Sequence, residues 1–206
     1  MSENASSVSR DVIGDYVTTD NQQERSDTRD WLARIPEHIG WYLSGFCDGE
    51  SSFNASLRMR KDHTIGWQIV ITFNVAQRDV TNLELLKKHL GCGRLQARCD
   101  GVHYFVVTDY KLIWERVIPF FEKFTLQSKV KKVNFTLFKE IASMMNRSEH
   151  LTNKGFRKIV DLREELNYGK GRTRKYSKLD VLVDQKSSET IRQTLAITTR
   201  SHTEKI

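Results

Sequence analysis

Residues 41–53 read WYLSGFCDGESSF, and the fold turns on how that stretch is read. An apolar run over 39–46 follows Pro36, a residue suited to the start of a helix. Gly45 and Gly49 lie four residues apart, so on a helix they share one face and leave it bare of side chains. Glycine inside a helix costs ~1 kcal/mol relative to alanine. Two on one face therefore point to the close approach of another backbone, as in small-xxx-small helix pairs. Glu50 closes this helix directly before the periodicity changes.

From Ser51 the period is two. Phe53, Ala55, Leu57 and Met59 alternate with Ser52, Asn54, Ser56, Arg58 and Arg60, which predicts a strand with one buried face. A turn over 61–64 leads to a second strand, with Trp67, Ile69, Ile71, Phe73 and Val75 on one side and Gln68, Val70, Thr72 and Asn74 on the other. Asp79 is placed to cap a helix over 80–90, and Gly91 to stop it. The plan then repeats. Arg94, Gln96 and Arg98 alternate with Leu95, Ala97 and Cys99, Asp100-Gly101 makes a hairpin turn, and 102–108 returns. Asp109 can cap a helix over 111–117, which Pro119 should interrupt or kink. A helix over 129–145 is expected to bury Val130, Val133, Leu137, Ile141 and Met144 as one stripe. A last helix over 153–166, capped by Thr152, should stop near Gly169. The result is an α+β fold, a four-stranded antiparallel sheet backed by helices on its apolar face.

The polar face of that sheet would carry Ser52, Asn54, Ser56, Arg58, Arg60, Gln68, Thr72, Asn74, Arg94, Gln96 and Arg98, with no carboxylate among them. These side-chain types reach base edges and phosphates. Residues 1–36 hold four basic and seven acidic residues, so the remainder of this +7 chain carries a net charge of +10. A pI near 9.3 agrees with a polyanionic partner, and the acid-free sheet face favours double-stranded DNA. The composition also organises the chain: a polar, aperiodic tail over 1–35 with a short helical turn near 30–34, the folded domain over 36–167, and a basic extension over 168–206. In that extension Lys170, Arg172 and Arg174 are candidates for holding backbone phosphates. No apolar run reaches the ~20 residues of a membrane span, no secretory h-region opens the chain, and three cysteines without tight spacing suit a reducing compartment. These features predict a protein that is not secreted, cytoplasmic in a bacterium or organellar if organelle-encoded. His89 with Cys92 and Cys99 with His103 have spacings compatible with zinc, but strand and helix-end positions argue against a shared site.

The segment LSGFCDGE, from Leu43 to Glu50, resembles the signature of the LAGLIDADG homing endonucleases, with Glu in place of the final Asp. The αββαββα order over about 36–166 is similar to that family's fold. The resemblance implies that the motif helix packs against a second copy through Gly45 and Gly49 and delivers Glu50 to the scissile phosphates. It implies that Glu50 and the Gly49 carbonyl hold Mg2+, with Mn2+ or Ca2+ as alternatives and Ca2+ in a bound, non-cleaving state. Phosphodiester hydrolysis needs such a hard ion and an activated water. By local context, Gln77 in FNVAQ matches a water-positioning residue, and Lys129 in SKVKKVNF matches the active-site lysine. Thr81 stands where some members carry an arginine, which Arg78 could replace. The segment SSETIRQTL resembles the C-terminal part of homodimeric members. One motif copy implies a homodimer cutting a long pseudo-palindromic site, as in intron homing. Two other readings stay open: a group I intron maturase that binds intron RNA, and a DNA-binding regulator with a dead motif.

Overall fold

A computed structural model of the chain describes residues 30–60, 62–167 and 174–181. The chain divides into two units, residues 1–34 and 35–206. In the first, the expected helical turn is present: the N–H groups of Ala33 and Arg34 donate to the Asp30 carbonyl at 3.1 and 3.3 Å. The rest of the expected tail, together with Lys170, Arg172 and the SSETIRQTL segment, lies outside the described residues.

The second unit begins with helix α1 (Glu37–Glu50), entered from Pro36, whose carbonyl accepts from Gly40 N–H at 2.9 Å. Strands β1 (Ser51–Met59) and β2 (Trp67–Gln77) follow, then α2 (Thr81–Leu90), β3 (Arg94–Ala97) and β4 (His103–Val107). The sheet is antiparallel throughout, in the order β1-β2-β4-β3. Its inner face carries Phe53, Leu57, Trp67, Ile69, Ile71, Phe73, Val75, Phe105 and Val107, all buried. Phe53 is the hub of an aromatic cluster, with ring centroids 5.4 Å from Phe73, 5.7 Å from Phe121 and 5.1 Å from Phe138. Such tilted and edge-on pairs add ~0.5–1.5 kcal/mol each beyond area burial. They tie the sheet to the helices that cover it.

Three helix starts form as their sequences predict. Asp79 Oδ1 accepts from Thr81 N–H, Asp109 Oδ1 from Lys111 N–H, and Thr152 Oγ1 from Gly155 N–H, at 2.9 to 3.0 Å. Pro119 does not interrupt its helix. Instead α3 (Tyr110–Leu112) runs through a π-helical turn (Ile113–Val117) into α4 (Ile118–Lys123). Proline has no N–H to donate and its ring clashes with the turn before it. The π turn shifts the bonding register just upstream, Ile118 N–H reaching back to the Ile113 carbonyl, and Pro119 falls in the first turn of α4, where no donor is needed.

The long helix α5 (Lys129–Asn146) corrects one expectation. Val130 and Val133 are 57% and 54% exposed, whereas Lys131, Asn134, Phe138, Ile141, Ala142, Met144 and Met145 are buried. The buried stripe of the first two turns is thus rotated away from the valines, onto a lysine and an asparagine. After a 3-10 turn (Glu149–Leu151), α6 (Asn153–Glu165) packs against α5. It ends ahead of Gly169: Leu166 is already extended (φ −64°, ψ 122°) and Asn167 takes the left-handed conformation (φ 60°).

Candidate active site and DNA-reading face

Helix α1 ends with two acids, Asp48 and Glu50, and no basic residue in its last turn. This opposes the helix dipole, whose negative end lies there with the last carbonyls, Gly49's among them, outside the helical ladder. Asp48 is compensated within the chain. Its carboxylate accepts from Ser128 N–H at 2.8 Å, Ser128 Oγ at 2.7 Å and Gln127 N–H at 3.2 Å. Burial pushes its pKa up, but the Ser128 and Gln127 hydrogen bonds and the Lys131 charge outweigh that and hold it below the ordinary value. Asp48 therefore clamps the end of α1 to the start of α5. Glu50 lies exposed one turn-step beyond.

The lysine brought to this junction is Lys131. Its ammonium, in a residue only 9% exposed, donates to the Ser51 carbonyl and lies 3.5 Å from Ser51 Oγ. With Gly49, Ser51, Ser52, Phe53, Asn134 and Asn167 it lines a cavity of about 330 Å³. Lys129 stands exposed in the first turn. Three lysines crowd that turn in the sequence, and only helical phase separates them. The Phe138–Ala142–Met145 series, continued back through Asn134, selects Lys131. Val130 and Val133 suggest a phase that misses it. Gln77 ends β2 opposite His103, its side-chain oxygen accepting from Arg78 N–H at 2.9 Å. Since Ser51 pairs with Val75, Glu50 and Gln77 share one end of the sheet on neighbouring strands. Arg78 is exposed next to Gln77, and Thr81 opens α2.

The outer face of α1 is open. A Cβ added at Gly45 or Gly49 would have no atom within 4 Å, and Trp41 and Tyr42 on the same side are 46% and 52% exposed. Gly40, which the sequence reading passed over, is the glycine the chain's own core uses: the Phe124 ring lies where its Cβ would be.

The expected polar residues do share the outer side of the sheet. Ser52, Asn54, Ser56 and Arg58 on β1 stand opposite Asn74, Thr72, Val70 and Gln68 on β2, and Arg94 and Gln96 face Val106 and Tyr104 on β4. Carboxylates occur at the hairpin ends. Arg60 makes a two-point bond to Asp62 at 2.9 and 2.7 Å, which holds the Asp62 carboxyl well below its usual range. Arg98 lies 3.5 Å from Asp100 and donates to Tyr104 Oη at 3.2 Å, over that ring. Arg174 turns inward, to Glu164 Oε1 and to the carbonyls of Glu164 and Leu166 at 3.0 to 3.3 Å. It fastens the segment after α6 in place of offering a free guanidinium.

The described residues contain no group of three or more His, Cys, Asp or Glu able to share a metal ion. Burial pushes the Cys92 thiol up to about 11, which keeps it protonated and disfavours the His89–Cys92 pair as a zinc site. The oxygens nearest the end of α1 that could serve a cation are the Glu50 carboxylate and the Gly49 carbonyl, one of the helix's last carbonyls. Hard oxygen donors of this kind suit a divalent cation such as Mg2+, whose remaining positions water and phosphate oxygens fill.

The sequence model of the LAGLIDADG endonuclease family matches residues 43–142. The crystal structure of the homing endonuclease I-TnaI is 34% identical, at a TM-score of 0.58 covering 62% of this chain and 87% of that one. The chain belongs to the LAGLIDADG endonuclease family. Another member, the archaeal intron-encoded homing endonuclease I-Vdi141I in complex with DNA, is 29% identical, with a TM-score of 0.70 over 75% of this chain and 98% of that one. A curated relative, "Probable intron-encoded endonuclease 2" of Neurospora crassa, is 32% identical over 138 residues, 66% of this chain. The chain spans about a quarter of the length of the first such relatives, 28% and 25%. No described helix of this LAGLIDADG chain is long and apolar enough to cross a membrane.

Proposed function

We propose that this LAGLIDADG protein is a divalent-metal-dependent, site-specific DNA endonuclease that works as a homodimer in intron homing. The observation that carries the reading is the end of α1: an exposed carboxylate at the negative pole of a helix whose outer face is bare glycine. A second copy laid against Gly45 and Gly49 brings a second Glu50 to the same axis, and the oxygen donors of the two copies, completed by water and phosphate, suit Mg2+. Glu50 and the Gly49 carbonyl would hold the ion, which supplies charge neutralisation at the scissile phosphate and a more acidic water. Lys131 sits where its ammonium holds the Ser51 carbonyl and adds positive charge beside that phosphate. Gln77, at the same end of the sheet, is placed to orient a water. Lys129, exposed one half-turn away, is left for the DNA backbone.

The sheet's outer face then lies in the major groove, with Arg58 and Gln68 far from the axis and Ser52, Asn74 and Gln96 near it. From Glu50 to Arg58 the strand spans ~27 Å, about eight base-pair steps at 3.4 Å. Two copies give a long pseudo-palindrome. The test is Glu50→Gln with a plasmid carrying a selected target in Mg2+. Cleavage is expected to disappear while gel-shift binding survives. Full cleavage by Glu50→Gln would refute the assignment of the metal-holding acid.

A further inference from the structure

Two valines stand where the outer face would otherwise be most polar. Val70 and Val106 are half-buried on the outward side of the two central strands. Val106 lies in the cross-strand row Asn74–Val106–Arg94. Val70 stands opposite Ser56, whose hydroxyl donates to the Val70 carbonyl at 3.3 Å. The polar groups around them are held by one another: Asn54 Nδ2 donates to Asn74 Oδ1 at 3.0 Å, and Arg98 to Tyr104 Oη. The valine methyls are thus partly exposed on a fixed polar surround. β-branched residues in strands are stiff about χ1, so their methyls have set positions.

In the major groove the thymine C5-methyl is the distinctive apolar group, and apolar side chains are its natural contact. We infer that Val70 and Val106 are specificity-determining residues that each read a thymine methyl. The inference rests on the sheet being the DNA surface. It also fixes a spacing. Val106 shares its row with Asn74, four residues along β2 from Val70, which is ~13 Å or about four base-pair steps. Each half-site should therefore carry two thymines about four base pairs apart, the nearer to the axis read by Val106.

The experiment begins with binding selection of the full chain on a randomised duplex library. Every thymine of the enriched target is then replaced in turn by deoxyuridine, which deletes only the methyl. Two positions per half-site are expected to lose about three- to fivefold in affinity, the scale of one buried methyl. Val106→Ala should remove the sensitivity at the inner position alone, and Val70→Ala at the outer one alone. Valine-to-threonine variants, which keep the strand-forming shape, should weaken the same single positions. Uracil tolerated at every position by the wild type would overturn the inference while leaving DNA recognition intact. So would unchanged sensitivity in both alanine variants. Enrichment of no sequence would overturn the DNA reading itself, and this inference with it.

Discussion

Gly45→Leu should move stability and assembly in opposite directions. In the isolated chain nothing lies within 4 Å of a Cβ at this position, so the leucine meets no clash. Leucine is the better helix former, which favours the folded monomer by ~0.5–1 kcal/mol. In a unit of this size that raises Tm by roughly 1–4 °C. At a two-fold helix pair the same side chain enters a gap made for hydrogen atoms. Overpacking costs ~1–3 kcal/mol per site. Symmetry doubles it to about 2–6 kcal/mol, or roughly 30-fold to more than 10⁴-fold in dimer affinity. Gly40→Ala provides the contrast: Phe124 occupies its Cβ position, so this smaller change should destabilise the monomer. Thermal melts and light scattering on DNA, where the wild type should add about twice 24.0 kDa of protein to the mass of the duplex, read both effects. A Gly45→Leu protein that still dimerises and cuts both strands would refute the role of this face. One that melts below the wild type where both proteins are monomeric would refute the account of the monomer.

Lys131→Met should slow single-turnover cleavage by ~10²–10³-fold, the scale for losing a positioned charge, and also lower stability by stripping the Ser51 carbonyl of its donor. Lys129→Met should leave stability unchanged and affect the rate much less, so equal effects on rate and melting would disprove the choice between them. Asp48 has a pKa below its unfolded value near 3.9, so the unfolded chain binds more protons there, and the clamp's contribution is complete above about pH 4 and lost as the pH falls through the lower folded value. Denaturant titrations from pH 6 to 2 should show that acid loss in the wild type and a flatter limb in Asp48→Asn; parallel limbs would rule out the clamp.

The architecture was legible because it rests on periods that many residues share. Nine positions of alternation in β1 and eleven in β2 outvote any single exception. Local caps at Asp109 and Thr152 were legible for the same reason, since a short polar side chain two or three residues from a free N–H has few other uses. What escaped depends on phase or on a local competitor. Val130 and Val133 suggested a stripe that only the covering elements could refute. Arg60 and Arg98 read as free base contacts because nothing in the alternation shows that Asp62 and Asp100, two residues on, fold back onto them. Arg174 looked like part of a basic tail, yet its partner Glu164 lies ten residues upstream, beyond any local pattern. Gly40 was hidden by its neighbours: without Phe124 in place, it resembles any other helical glycine.

The rims of the sheet constrain how copies of this chain can add to one another. Successive outward carbonyls of the border strand β1 are already taken, Ser51's by Lys131 and Phe53's by the Asn167 amide, at 2.7 Å for the latter. Farther along, Arg163, Arg174 and Tyr176 crowd the same border beside Asn54–Leu57. The opposite border is β3, only four residues long and carrying Arg94 and Gln96. Neither rim offers the long vacant ladder on which chains stack without limit. In the homodimer proposed above, the helix face is the pairing surface, and an isologous pairing is used up once two copies meet. Such a dimer would be self-limiting, and a high local concentration of newly made chains would have a stopping point.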